Sequence, residues 1–355
     1  MQIKYTFNDV LLLPDYSDIL PSETNLSNDI WTSGERKFMN MGVPVFSAAM
    51  NTITEVAMCT AIQSVGGFGV LHKYLGDREE DTINLLNQSC TTYVLSVGPN
   101  DLNRLEKYIG KFDGIGAISI DSAHGHTKNI IEFIKEVRKK YPTLYIIAGN
   151  ITTPHAALAL LDAGADALKL GIGSGAICTT RIVTGVGCPL FSAIQDVYEL
   201  LYKRGFEKTH PIIADGGIRN SADIAKAIGA GASAVMLGSV ISGTEETPGS
   251  LIEKGIGGEK QFYKKYSGMG SPENMKIGGA ERYNQKSVRS VSEGIDHEVL
   301  YKGSAIDIVE DLMNALRSSM GYCGFKNLKD FVGSGKFCTI TQNGINEGKP
   351  HILNN

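Results

Sequence analysis

Cys178 closes the run Gly171-Ile172-Gly173-Ser174-Gly175-Ala176-Ile177-Cys178, and Thr179, Thr180 and Arg181 follow it directly. Three alternate glycines let the main chain turn sharply and leave amides and carbonyls free to meet an ion. A thiol on such a loop, with hydroxyls and a guanidinium nearby, is placed for nucleophilic attack, because positive charge and partial exposure favour thiolate. The bland alternative is an inert buried cysteine, the usual fate of this residue. Asp215-Gly216-Gly217 and Gly238-Ser239 form a second group. Their small residues can supply amides to a phosphate, and Asp215 can accept from ribose hydroxyls; ordinary turn chemistry is the competing reading. Asp121-Ser122-Ala123-His124-Gly125-His126 offers a carboxylate suited to the ribose of a second nucleotide. Glu281-Arg282-Tyr283 and Glu293-Gly294, taken alone, read as a charged loop.

These groups need a scaffold that brings distant segments together. Short β-branched runs recur at 43–47, 68–73, 93–98, 117–121, 144–150, 167–171, 211–217 and 234–239. Continuous apolar runs of this kind suit strands buried on both faces of a parallel sheet. Helical patterns fall between them, at 130–137, at 154–161 after Thr152-Thr153, and at 221–228 before Gly229. The even alternation predicts an α/β fold, a (β/α)8 TIM barrel, over an open doubly wound sheet. In such a barrel, function sits at the C-terminal strand ends. Those ends carry Asp121, Asn150, the 171–181 loop, Asp215-Gly216-Gly217 and Gly238-Ser239. A polar, glycine-rich segment at about 244–303, with Gly257-Gly258, Gly268-Met269-Gly270-Ser271 and Gly278-Gly279, is expected to be a long mobile flap after strand 8. A helix at 306–320 closes the barrel, and the tail 321–355 is expected to be irregular.

The totals limit the partners. The 355 residues are 42% hydrophobic and 20% charged, ordinary for a globular protein. A net charge of -4 and a pI near 6.0 give no electrostatic case for nucleic acid or an anionic membrane. Cys59, Cys90, Cys178, Cys188, Cys323 and Cys338 include no C-x-x-C pair. With no apolar run of spanning length and no leader-like N-terminus, a cytoplasmic location is expected.

Together these stretches resemble the IMP dehydrogenase / GMP reductase family. The likeness runs from Thr6-Phe7-Asn8-Asp9-Val10-Leu11-Leu12-Leu13-Pro14 to Leu316-Arg317-Ser318-Ser319-Met320-Gly321-Tyr322, and residues 171–187 are its most specific part. Asp121-Ser122-Ala123-His124-Gly125, Tyr266-Ser267-Gly268-Met269-Gly270-Ser271 and Arg282-Tyr283 lean toward the dehydrogenase branch. Ala148-Gly149-Asn150 and Thr184-Gly185-Val186-Gly187-Cys188-Pro189 lean slightly toward the reductase. The resemblance implies oxidation of IMP to XMP through a covalent Cys178 adduct, with NAD as hydride acceptor, followed by hydrolysis. Thr180, Arg282 and Tyr283 are then catalytic. An arginine acting as base is demanding, since a guanidinium normally stays protonated to above about pH 12. The resemblance further implies that Asp215, Gly217, Gly238, Ser239, Tyr266, Met269, Gly270 and Glu293 bind substrate. Asp121, Ser122, Asn150 and Gly171 are implied for the dinucleotide. Gly173, Gly175 and Cys178, with Glu347 and Gly348 of a neighbouring copy, are implied for K+. A homotetramer follows from that shared site.

This chain departs from the family pattern at Ala48, Asn51 and Ala176, where Ser, Asp and Ser are usual. The segment from Lys73 to Tyr93 is too short for the paired CBS regulatory domains that many members insert there. One catalytic domain over 1–355, without CBS domains, is therefore expected. Two other readings stand beside the dehydrogenase: GMP reductase using NADPH, and a non-catalytic nucleotide-binding paralogue.

Overall fold

The computed structural model describes residues 2–28, 32–33, 36–37, 40–256, 259–283 and 291–350. Eight strands, β1 (Val45–Ser47), β2 (Phe68–Leu71), β3 (Tyr93–Val97), β4 (Ile115–Asp121), β5 (Tyr145–Ile151), β6 (Ala167–Leu170), β7 (Ile212–Asp215) and β8 (Ala234–Leu237), pair in parallel and in chain order. The pairing of Val45 with Val235 and Phe46 with Met236 closes the sheet into a barrel. Each of the eight runs read from the sequence is one of these strands, and helices lie between them.

Side-chain alternation divides the core in two. Phe46, Phe68, Val70, Val94, Ala117, Tyr145, Ile147, Ala167, Ile213 and Met236 fill the barrel interior. Their neighbours Val45, Ile118, Ile120, Ile146, Leu168, Leu170, Ile212 and Val235 pack outward under the helices. Local signals set the helix limits. In Pro154–Ala163 the Thr153 side chain caps the Ala156 amide, Pro154 opens the first turn, and Gly164 ends it at φ 110°. The closing helix runs Ala305–Cys323, from a Ser304 cap to Gly324 at φ 75°.

Two expectations need correction. The segment 244–303 is not a flap without structure of its own: β9 (Ile252–Ile256), β10 (Glu259–Ser267) and β11 (Asp296–Leu300) form a three-stranded antiparallel sheet in it. Lys264 of β10 is buried and donates to the carbonyls of Glu245 (2.9 Å) and Thr247 (2.6 Å), which ties the sheet to the turn after β8. Gly257-Gly258 and residues 284–290 lie outside the described residues. Nor is the tail irregular throughout. Phe337–Thr339 pairs antiparallel with Val10–Leu12, and Leu328–Phe331 and Gln342–Glu347 are helical. No helix among the described residues is long and apolar enough to cross a membrane.

Candidate active site

The same alternation that buries Ala117, Ala167 and Ile213 inside the barrel places Asp121, Lys169 and Asp215 inside it, one or two pleats higher. Lys169 is 2% exposed, and so deep a cation must be paired. Its Nζ donates to Asp121 Oδ1 at 2.9 Å and Asp215 Oδ2 at 2.8 Å, and it contacts Asn150 Oδ1. Asn150 would face outward in a regular strand. A register shift between Gly149 and Ile151 turns it inward, where its Nδ2 donates to Asp215 Oδ2 (2.8 Å) and the Gly171 carbonyl (2.7 Å). Sequence reasoning missed Lys169. Its signal was available: a lone lysine in an apolar parallel strand, Ala167-Leu168-Lys169-Leu170, on the inward parity.

The cysteine loop leaves β6 through Gly171 at φ 144°, where a Cβ would stand 1.9 Å from the Asp215 carbonyl oxygen. Only glycine fits there. Gly171→Ala is expected to destabilise the protein by about 3 kcal/mol or more, through overpacking and backbone strain; urea denaturation measures it. Ser174 Oγ donates to that same carbonyl at 3.0 Å, which seats the loop on the β7 turn. Cys178 Sγ lies 3.1 Å from Thr180 Oγ1. Arg181 finds its partner on the far side of its own loop. Its Nη2 donates to the Cys188 carbonyl, and a Cβ at Gly187 would stand 2.7 Å from its Cγ. This close approach accounts for the glycine before Cys188.

Two flap segments hold the loop from above. The Thr179 N–H donates to the Glu293 carbonyl (2.9 Å), Ile295 N–H to Ile177 (3.1 Å), and Glu293 N–H to Gly270 (3.0 Å). Glu293, Met269 and Gly270 thereby come beside Cys178. Asn51 does not leave a gap where the family has a carboxylate. Its Nδ2 donates to Asn274 Oδ1 at 2.7 Å, and buried Asn274 donates to the Gly268 carbonyl at 2.8 Å, so an amide pair anchors the 268–274 turn on the barrel. The Arg282 guanidinium pairs with Asp121 Oδ2, and its carbonyl accepts the Ala123 N–H at 3.1 Å. Burial, partly offset by Arg282, pushes the Tyr283 phenol up to about 12, so it keeps its proton at neutral pH.

One open cleft is lined by Cys178, Thr180, Asp121, Asn150, Gly171, Gly173, Gly175, Asp215, Tyr266, Met269, Gly270, Arg282, Tyr283 and Glu293, and also by Ala48, Lys169 and exposed Ala176. At the β7–β8 corner, Gly217 takes φ 73° against the Ser174 carbonyl, and a Cβ on Gly238 would lie 3.3 Å from the Tyr266 hydroxyl. Lys302 Nζ donates to the Ser239 carbonyl at 3.0 Å, which puts a cation behind this corner. Gly217, Gly238 and Ser239 therefore flank the cleft without lining it. Ser122 is buried, with its hydroxyl engaged by His124 of its own loop. Glu347 and Gly348 are exposed at the tail helix and are not part of the cleft.

A closed parallel barrel, with a thiol on a glycine loop over the strand ends and an arginine–tyrosine pair lining the same cleft, is the architecture of a (β/α)8-barrel enzyme. The sequence pattern of the IMP dehydrogenase / GMP reductase domain matches residues 4–351, and the chain belongs to this family. It is 37% identical to inosine-5'-monophosphate dehydrogenase of Borreliella burgdorferi, over 98% of this chain and 96% of that protein. It is also 37% identical to the enzyme of that name from Cryptosporidium parvum, over 98% and 94%. With that from Methanocaldococcus jannaschii the identity is 33%, over 98% and 95%.

Proposed function

We propose that this protein oxidises IMP to XMP with NAD as the hydride acceptor, in guanine nucleotide synthesis. The observation that carries the proposal is the convergence of Cys178, its partner Thr180, and the Arg282–Tyr283 pair on one cleft, with Asp121 under the arginine. A nucleotide-binding protein without turnover has no use for that set.

In this proposal Cys178 Sγ attacks C2 of the hypoxanthine ring while Thr180 fixes the sulfur's position. Bound NAD supplies the acceptor for the hydride that leaves C2. Cys178 then holds the oxidised base as a covalent adduct. Water adds at the same carbon, the C–S bond breaks, and XMP and the free thiol are released. Arg282 and Tyr283 orient that water and handle its proton, and Tyr283 enters as a phenol that can donate. Asp215, aligned by Lys169 and Asn150, accepts from the substrate ribose. Gly217, Gly238, Ser239 and Tyr266 take the phosphate, and Met269, Gly270 and Glu293 meet the base edge.

The residues suit both implied cofactors. Asp121, at the mouth of the cleft with Ser122, Asn150 and Gly171 around it, has the acceptor chemistry a dinucleotide ribose needs; Arg282 competes for its Oδ2. Gly173, Gly175 and Cys178 place carbonyl oxygens on one tight turn, with Gly173 at φ 74°, a donor set suited to K+. Glu347 and Gly348 would complete it from a neighbouring copy, in a cytoplasmic homotetramer. The whole chain then acts as one catalytic domain without CBS regulation.

Absorbance in the NADH band, on mixing protein with IMP, NAD and K+, tests the proposal. NADH formation supports it. Loss of NADPH absorbance with GMP instead would make the protein a reductase, and silence in both assays would leave a non-catalytic paralogue. Ala176→Ser restores the hydroxyl usual at this phosphate-facing position. It should lower KM for IMP by roughly fivefold, the worth of about one hydrogen bond of ~1 kcal/mol, in steady-state assays.

A further inference from the structure

Outside the reacting centre, two loops converge on one carboxylate of the flap. Glu281 sits on the short turn Ala280–Arg282, immediately before the arginine. Its Oε2 takes Lys73 Nζ, and its Oε1 accepts from Asn100 Nδ2 at 2.7 Å. Lys73 follows β2 and Asn100 follows β3. Lys73 Nζ also donates to Asp101 Oδ2 at 3.1 Å, and that oxygen accepts the Gly98 N–H at 2.6 Å. A Cβ at Gly98 would stand 2.5 Å from Lys73 Nζ, so glycine is what lets the lysine reach across. Beside it the Tyr74 ring lies under Gly278, 3.6 Å from where a Cβ would be. The loops after β2 and β3 thus form a platform on which residues 278–281 rest.

We propose that Glu281 is a positioning residue for the hydrolytic half of the reaction: its bonds to Lys73 and Asn100 latch the flap closed with Arg282 seated on Asp121. The proposal rests on the dehydrogenase reading above. Consecutive residues on a helical turn point about 100° apart, so Glu281 grips the β2–β3 side while Arg282 turns to the end of β4. The Lys73 side chain is 10% exposed, and a lone charge there would be costly. Asp101 stays with it when Glu281 leaves, so opening the flap strands no cation. The latch is therefore reversible. Hydride transfer needs Asp121 free for the dinucleotide, and hydrolysis needs Arg282 upon it; the latch favours only the second.

Glu281→Gln and Lys73→Met test this, read by rapid-mixing kinetics with IMP, NAD and K+ and by amide hydrogen exchange. The first-turnover rate of NADH formation should stay within about twofold of the unaltered enzyme, while steady-state turnover falls about tenfold or more and the covalent adduct accumulates, because only lid closure is impaired. Peptides covering 275–283 should exchange faster in both variants, with the barrel strands unchanged. Equal slowing of both steps, or unchanged turnover and unchanged exchange, would overturn the latch. If the unaltered protein forms no NADH, the dehydrogenase reading fails on its own, and exchange at 275–283 still decides whether Glu281 holds the flap.

Discussion

Cys178→Ala is expected to lower kcat for IMP oxidation by at least about 10⁴-fold, the scale on which removal of a covalent nucleophile acts. Nucleotide binding should persist, because Asp215, the β7–β8 corner and the 268–270 turn are untouched. The protein should also keep its stability. Cys178 is half-buried, and its loop is held by main-chain bonds from Thr179, Ile177 and Glu293 that alanine leaves intact. Steady-state NADH formation, IMP binding by calorimetry and thermal unfolding together separate loss of chemistry from loss of fold. Turnover within about tenfold of the unaltered protein would remove Cys178 from the mechanism.

The second large effect is expected at Lys169, which no sequence motif singled out. Lys169→Met would take the shared cation from Asp121 and Asp215, at side-chain exposures of 10% and 19%, leaving Asp121 with Arg282 and Asp215 with only the Asn150 amide. Breaking a buried pair by removing one partner costs about 3–5 kcal/mol, chiefly through the charge left behind. The expected result is a lower unfolding free energy by that order. A fall in kcat/KM for IMP of roughly thirtyfold or more should accompany it, since Asp215 loses the group that aims it. Lys169→Arg keeps the charge but not the shape of the ammonium, and should recover part of the stability. Urea denaturation and steady-state kinetics check both variants. If Lys169→Met changes neither, the network has no part in orienting Asp121 and Asp215.

The barrel was legible because its signal is simple. Strands buried on both faces must be apolar throughout, and runs such as Tyr93-Val94-Leu95-Ser96-Val97 cannot be much else. The position of the cleft followed from the topology, which puts Asp121, Asn150, the 171–181 loop and Asp215 at strand ends once the barrel is granted. The flap sheet was hidden for the opposite reason. Glu259–Ser267 is largely polar, and among its described side chains Lys264, Tyr266 and Ser267 are buried, so its sequence looks like a loop. The tail was hidden because Phe337–Thr339 is strand only by pairing with Val10–Leu12, over 300 residues earlier, and neither partner announces the other. Lys169 and Glu281 went unread because their roles lie in partners from distant loops. Asn51, which stands where the family has a carboxylate, has its partner in Asn274, more than 200 residues away. What the sequence pattern carries well is periodicity and local turn chemistry; cross-chain pairing of polar groups needs coordinates.

The most direct measurement is mass spectrometry of protein quenched in acid during turnover with IMP, NAD and K+. A purine nucleotide adduct is expected on the peptide that holds Cys178, larger in amount in Glu281→Gln and absent from Cys178→Ala. NADH formation at full rate with every cysteine peptide unmodified would contradict it.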